Sequence, residues 1–119
     1  MDFTLTEEQR AIQELVRDFA NKEIAPRAAE IDCSDEFPVE IFRKLGEQGL
    51  MGLPFPEEFG GGGADTLSQA LAIEEISFAS GSVGLTYAAH LSLGCAPINM
   101  WGTPGQKKKF LKKQLKMSR

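Results

Sequence analysis

Residues 49–63 read GLMGLPFPEEFGGGG, and this stretch decides the architecture of the chain. Leu50, Met51, Leu53 and Phe55 form a short apolar run that Pro54 and Pro56 interrupt. A helix cannot pass two prolines one residue apart, because each lacks an amide donor and its ring collides with the preceding turn. Glu57, Glu58 and Phe59 follow, then Gly60 to Gly63, which permit positive φ and close backbone approach. The stretch is therefore a fixed loop with an apolar root, and only Leu50 to Leu53 could be read as a strand. The residues on either side carry helical patterns.

Four glycines in a row raise the question of a phosphate loop. A Walker loop needs Gly-Lys-Ser/Thr after its spacer, and a dinucleotide turn needs Gly-x-Gly-x-x-Gly between a strand and a helix. Here Ala64-Asp65 follows, so an anion would meet a carboxylate. Nucleotide binding at this loop is set aside.

Toward the N-terminus, Thr6-Glu7-Glu8-Gln9 matches a capping box. Ile12, Leu15, Val16, Phe19, Ala20 and Ile24 then recur at helical spacing, with Glu14, Arg17, Asp18 and Lys22 on the other face. Pro26 ends or kinks this helix, and Ala28, Ala29 and Ile31 extend it by a turn or two. Cys33 to Glu36 read as a polar turn. Pro38 suits the first position of a second helix, whose apolar face is Val39, Ile41, Phe42 and Leu45 and whose end is marked by Gly46 and Gly49.

Beyond the loop, Thr66-Leu67-Ser68-Gln69 reads as a second capping box. It opens a helix carrying Leu67, Ala70, Leu71, Ile73, Ile76 and Phe78, and Gly81-Ser82 breaks and recaps the chain. Residues 83–100, VGLTYAAHLSLGCAPINM, contain no charged side chain. A helix apolar on all sides is buried in its protein, and this one is too short and too rich in polar residues to span a membrane. Its small residues, Ala88, Ala89, Gly94 and Ala96, leave room that a partner helix, another domain or a ligand must fill. Thr103-Pro104-Gly105-Gln106 repeats the capping pattern, and Phe110, Leu111, Gln114 and Leu115 continue a short basic helix. The sum is an all-α orthogonal bundle of about five helices in one domain.

Charge is unevenly placed. All 17 acidic residues precede Gln106 with six basic ones, whereas seven basic residues crowd the end, from Lys107 to Arg119. Such a tail could meet an anion, but lysines at a helix end also favour its dipole. The reading adopted is a solvated helix end, with no nucleic-acid partner. Cys33 and Cys95 are isolated and His90 is the only histidine, so neither a metal site nor a disulfide framework is expected. The start, MDFTLTEEQR, resembles neither a secretory nor a transit peptide, which points to the cytoplasm.

Catalytic groups are scarce. Adjacent Glu57 and Glu58 diverge in an extended loop, whereas a working carboxylate pair must face a common space. One of Glu74 and Glu75 is expected to be a satisfied, partly buried carboxylate. His90, between Ala89 and Leu91, reads as a hydrogen-bonded core imidazole. No catalytic residue is assigned.

Several segments together resemble the N-terminal helical domain of flavin-dependent acyl-CoA dehydrogenases. They are LTEEQRAIQELVRDFANKEIAPRAAEID, EFP, GLMGLPFPEEFGGGGADTL, EEISFASGSVGLTYAAHLSLGCAPI and GTPGQKKKFL, which cover residues 3–111 in order. The segment ASGSVGLTYAAH leans toward the isovaleryl and short-chain branches. The resemblance implies a family that uses FAD and a glutamate base to convert acyl-CoA to trans-2-enoyl-CoA, and passes electrons to an electron-transferring flavoprotein. It also implies that this domain covers the flavin and lines the acyl pocket, with Leu85, Thr86, Ala88, Ala89 and Leu93 as the wall.

The family's β-domain, its C-terminal helical domain with the base, and its main flavin-binding segments find no match here. Homo-oligomers of the family assemble largely through those parts. Gly105 stands where the family usually has an acidic residue, and residues 112–119 read as a basic tail outside the resemblance. The expectation is a truncated or frameshifted dehydrogenase, inactive alone. The alternative is a freestanding helical module that binds a protein partner or an acyl chain without catalysis.

Overall fold

The computed structural model describes residues 2–116, and all regular structure among them is helical. Helix α1 (Glu7–Phe19) starts at the Thr6–Gln9 capping box: Gln9 N donates to Thr6 Oγ1 at 3.1 Å and Thr6 N donates to Gln9 Oε1 at 2.9 Å. It runs on through one wide turn (Ala20–Ile24) and a tight turn (Ala25–Arg27) into α2 (Ala28–Cys33). In the wide turn the Ala25 amide reaches back five residues to the Ala20 carbonyl. The opened turn accommodates Pro26, whose ring would collide with the carbonyl four residues back in a regular helix. The chain thus stays helical past Pro26. Cys33 closes α2 and is not part of the polar turn.

Pro38 stands just before α3 (Val39–Glu47), one position earlier than expected. Gly49 adopts φ 76°, the left-handed conformation that ends many helices. Leu50–Gly52 then form a single tight helical turn rather than a strand. Glu57–Phe59 form another, and Gly60 leaves it at φ 93°.

Helix α4 (Thr66–Ala79) begins one residue earlier than the Thr66 box would place it. Its cap is Asp65, which accepts the Ser68 amide at 2.8 Å, so Thr66 is the first helical residue. Asp65 wins because its carboxylate also accepts Gln9 Nε2 at 2.8 Å. Gln9 therefore closes the N-terminus of α1 with its oxygen and reaches the cap of α4 with its nitrogen. The hydrogen bonds that Asp65 accepts, from Ser68 first and then from Gln9, hold its carboxyl below the usual carboxylate range.

Ser80, not Gly81-Ser82, caps α5 (Gly81–Ala89). A second wide turn (His90–Cys95) joins it to α6 (Ala96–Trp101), and again a proline, Pro97, follows two residues later. The Thr103 box caps α7 (Pro104–Gln106), which continues through a third wide turn (Lys107–Leu111) into α8 (Lys112–Lys116). The pieces make five rods: α1 with α2, α3, α4, α5 with α6, and α7 with α8.

Helices α1 and α5 both pack against α4. At Gly84 a Cβ would lie 2.0 Å from Ser77 Oγ of α4, so the two helices are in close contact there. The core holds Val16, Ile24, Phe42, Leu45, Met51, Ile76, Tyr87 and Leu91, and it also takes in Leu111 and Leu115. Burial of Leu115, in α8, ties residues 112–116 to the packed unit, while 117–119 lie outside the described residues. Leu15 and Val39, expected on buried faces, are about half exposed.

The molecule measures 41 × 41 × 20 Å. Helices with side chains are about 10–12 Å across, so the slab is two helices thick. Every helix in such a slab keeps one face outward.

Candidate functional site: the outward face of helix α5

Helix α5 and its continuation are oriented by two hydrogen bonds to the loop at residues 49–63. Tyr87 donates its hydroxyl to the Leu50 carbonyl at 2.7 Å. His90 Nε2 lies 2.9 Å from the Met51 carbonyl and donates to it. Tyr87 is buried with Val83, Leu91 and Cys95, and His90 is half-buried beside them. Burial lowers the histidine's affinity for a second proton and raises the Tyr87 phenol. His90 is hydrogen-bonded as expected from its neighbours, but it sits half-buried rather than within the core.

Because one side of the rod is fixed inward, the other side faces out. Leu85 is 72% and Leu93 is 76% exposed. Ala88, Ala89 and Thr86 are half-buried around them. The five residues assigned from sequence to the acyl-pocket wall thus lie on one half of one rod. Residues 83–100 are buried on one side only, which corrects the reading of a helix buried on all sides. The reason is periodicity: Val83, Tyr87 and Leu91 alternate with Leu85, Ala89 and Leu93 at helical spacing, so two apolar stripes share one helix.

The outward stripe is uncharged, and its hydroxyls are already used. Thr86 Oγ1 donates to the Ser82 carbonyl at 2.9 Å and Ser92 Oγ to the Ala88 carbonyl at 2.7 Å. Each bond is made inside the helix itself. The face therefore presents hydrocarbon, with Ala88 and Ala89 set back between Leu85 and Leu93. A further apolar group, Met100, Trp101 and Phe110, lies exposed toward the end of α6 and on the rod after it.

Other candidate chemistry does not assemble. Cys95 Sγ lies 3.4 Å from His90 Nε2, but the thiol donates to Gln114 Oε1 and burial pushes it up to about 12. A protonated, buried thiol is no nucleophile. Glu75 is the partly buried carboxylate, paired with Arg17 at 2.8 Å, and Glu57 and Glu58 are exposed. Among the described residues no group of histidine, cysteine or carboxylate side chains could hold a metal, and no helix is long and apolar enough to cross a membrane.

The glycine loop does not fit a flavin diphosphate either. The amides of Gly60, Gly61, Gly62, Gly63 and Ala64 donate to the carbonyls of Glu57, Pro56, Gly52, Phe55 and Leu53 respectively. Each amide a phosphate would need is thus engaged. A Cβ at Gly61 would lie 2.2 Å from the Phe55 carbonyl oxygen, so the glycine serves close packing of the loop on itself.

A cavity of about 270 Å³, with Val83 and Thr86 on one wall and Phe42 on another, opens beside the start of α5. Ser34, Asp35 and Glu36, part of the polar turn expected from sequence, stand at its edge.

The family model for the acyl-CoA dehydrogenase N-terminal domain matches residues 6–118. The chain belongs to the acyl-CoA dehydrogenase family and corresponds to its N-terminal helical domain. It is 56% identical over 111 residues to the probable acyl-CoA dehydrogenase YngJ of Bacillus subtilis, covering 93% of this chain and 29% of that protein. A short-chain specific acyl-CoA dehydrogenase of Clostridium acetobutylicum is 48% identical over 111 residues, with the same two shares. The solved butyryl-CoA dehydrogenase of Megasphaera elsdenii superposes with a TM-score of 0.90 at 38% identity, covering 98% of this chain and 31% of that one. The chain therefore spans under a third of the length of these relatives.

Proposed function

We propose that this chain supplies the acyl-pocket wall and the flavin cover of an FAD-dependent acyl-CoA dehydrogenase, which converts acyl-CoA to trans-2-enoyl-CoA. The observation that carries this reading is the outward stripe of α5: apolar, uncharged, rigidly oriented, and left open within this domain. Leu85, Thr86, Ala88, Ala89 and Leu93 form the wall, and the alanines set the depth available to the acyl chain. Mostly apolar concave surfaces with few polar groups are the usual form of such sites. A face of this kind also excludes water from a reaction that must avoid it.

The base and the grip on FAD come from protein beyond this domain, in keeping with a loop whose amides are engaged. Electron-transferring flavoprotein as acceptor, homo-oligomeric assembly and a cytoplasmic location complete the proposal.

The test joins residues 1–119 to the remaining portion of the Bacillus subtilis relative. The chimera is expected to bind flavin and to be bleached by butyryl-CoA or isovaleryl-CoA, while this chain alone purifies colourless. A yellow preparation of this chain alone that those thioesters bleach would refute the division of labour. A flavin-loaded chimera inert to every acyl-CoA would refute the function.

A further inference from the structure

A second recess lies where the end of α6 meets the rod after it. It encloses about 360 Å³, and Pro97, Ile98, Trp101 and Phe110 give it an apolar lining. Trp101 is 75% and Phe110 48% exposed, so both rings are open to solvent. Its border is cationic, for Lys109 Nζ stands 5.2 Å from the centre of the Phe110 ring. Lys108, Lys112 and Lys116 are exposed on the same rod, and neither they nor Lys109 make an ion pair among the described residues. Aromatic anchors in a pocket with a charged rim are the usual centre of a protein contact.

Such a recess fits an apolar side chain flanked by carboxylates, and this chain carries one. Phe3 is 85% exposed in the stretch before α1, with Asp2, Glu7 and Glu8 exposed around it. None of the three carboxylates makes an ion pair among the described residues. Asp2 Oδ1 accepts the Thr4 amide at 2.8 Å, in a turn that brackets Phe3. Other exposed phenylalanines beside carboxylates suit the recess less well. Phe37 is already stacked on Phe42, with ring centroids 5.0 Å apart. Phe78 shares its surroundings with Arg17, which would repel lysines. The exposure of Phe3 also means that the arm does not occupy the recess of its own chain.

We propose that residues 2–8 of a second copy of this chain dock on the recess, with Phe3 entering it and Asp2, Glu7 and Glu8 facing its lysines. The buried ring supplies most of the affinity, and the opposite charges at the rim fix the register and speed association. The contact is small, so it is weak and salt-dependent, with a dissociation constant between about 1 μM and 1 mM. It is a property of this domain and does not depend on the acyl-CoA dehydrogenase reading.

Trp101 is the only tryptophan, so its fluorescence reports on the recess. Raising the concentration of this chain should move the emission to shorter wavelength as sedimentation shows self-association. Phe3→Ser should raise the dissociation constant about tenfold or more. Two double charge reversals test the pairing: Asp2→Lys with Glu7→Lys in one chain, and Lys109→Glu with Lys112→Glu in another. All of these positions are exposed, so folding is not at stake. Each reversed chain alone should stay monomeric, because like charges then face one another. An equimolar mixture of the two should associate again. A chain that stays monomeric up to about 1 mM overturns the proposal, as does a mixture that does not associate. Self-association that both reversals leave within about twofold also overturns it. So does self-association that Leu85→Ser with Leu93→Ser abolishes, because the stripe of α5 would then be the contact.

Discussion

Gly84 and Gly105 are the same residue type under opposite constraints. At Gly84 a methyl group would sit 2.0 Å from Ser77 Oγ and 2.7 Å from Ser77 Cα, so α4 and α5 would have to part. Gly84→Ala should cost about 1–3 kcal/mol, as overpacking generally does, read from the urea midpoint of unfolding. At Gly105 nothing lies within 4 Å of a Cβ. Gly105→Ala should add about 0.5–1 kcal/mol by restricting the unfolded chain and favouring the helix, and a loss would show that α7 needs the glycine. Asp65 makes a pH prediction. Its carboxyl is held below the usual range by Ser68 and Gln9, so its contribution is complete above the ordinary aspartate range and is lost as pH falls through the depressed one. Asp65→Asn should flatten that part of the acid limb, and an unchanged limb would place the linkage elsewhere. The Thr6 and Thr103 caps were legible because each box has its glutamine three residues on. Asp65 was masked, because Thr66 to Gln69 fits the same pattern one residue later. What decided it was Gln9, 56 positions away in sequence.

At the scale of elements, the two-sided helix explains most of what could and could not be read. The absence of charge from Val83 to Met100 marked this rod as different, and its helical period was plain. Which stripe would face inward was not, because both are apolar. Tyr87 and His90 settle it through the Leu50 and Met51 carbonyls, contacts 37 and 39 positions apart. The distinction is measurable. Leu85→Ser with Leu93→Ser should change the stability of this chain by no more than about 0.5 kcal/mol, as exposed substitutions do. Leu91→Ala, one turn inward, should cost about 2–5 kcal/mol. Equal costs would mean that the outward stripe is packed within this chain. The helical runs past Pro26 and Pro97 share one device, a wide turn two residues ahead of the proline. The prolines were visible in the sequence, whereas the wide turns keep the chain helical in a way that periodicity does not report.

The whole molecule is a slab about 20 Å thick whose helices cannot all be covered from within. Its all-helical architecture and loop root followed from capping, proline and apolar spacing. The cavity walled by Phe37, Phe42 and Val83 did not, because it is made where α5 meets the turn before α3, and no local pattern announces such a meeting. The central claim is that the outward stripe of α5 sets the depth of an acyl pocket. It is tested most directly by kcat/KM across saturated acyl-CoA substrates of increasing length, in the flavin-loaded chimera with and without Ala89→Leu. The added side chain stands between Leu85 and Leu93, so the account predicts that the longest accepted chain becomes shorter while the shortest substrates are still oxidised. A length profile that does not move would contradict it.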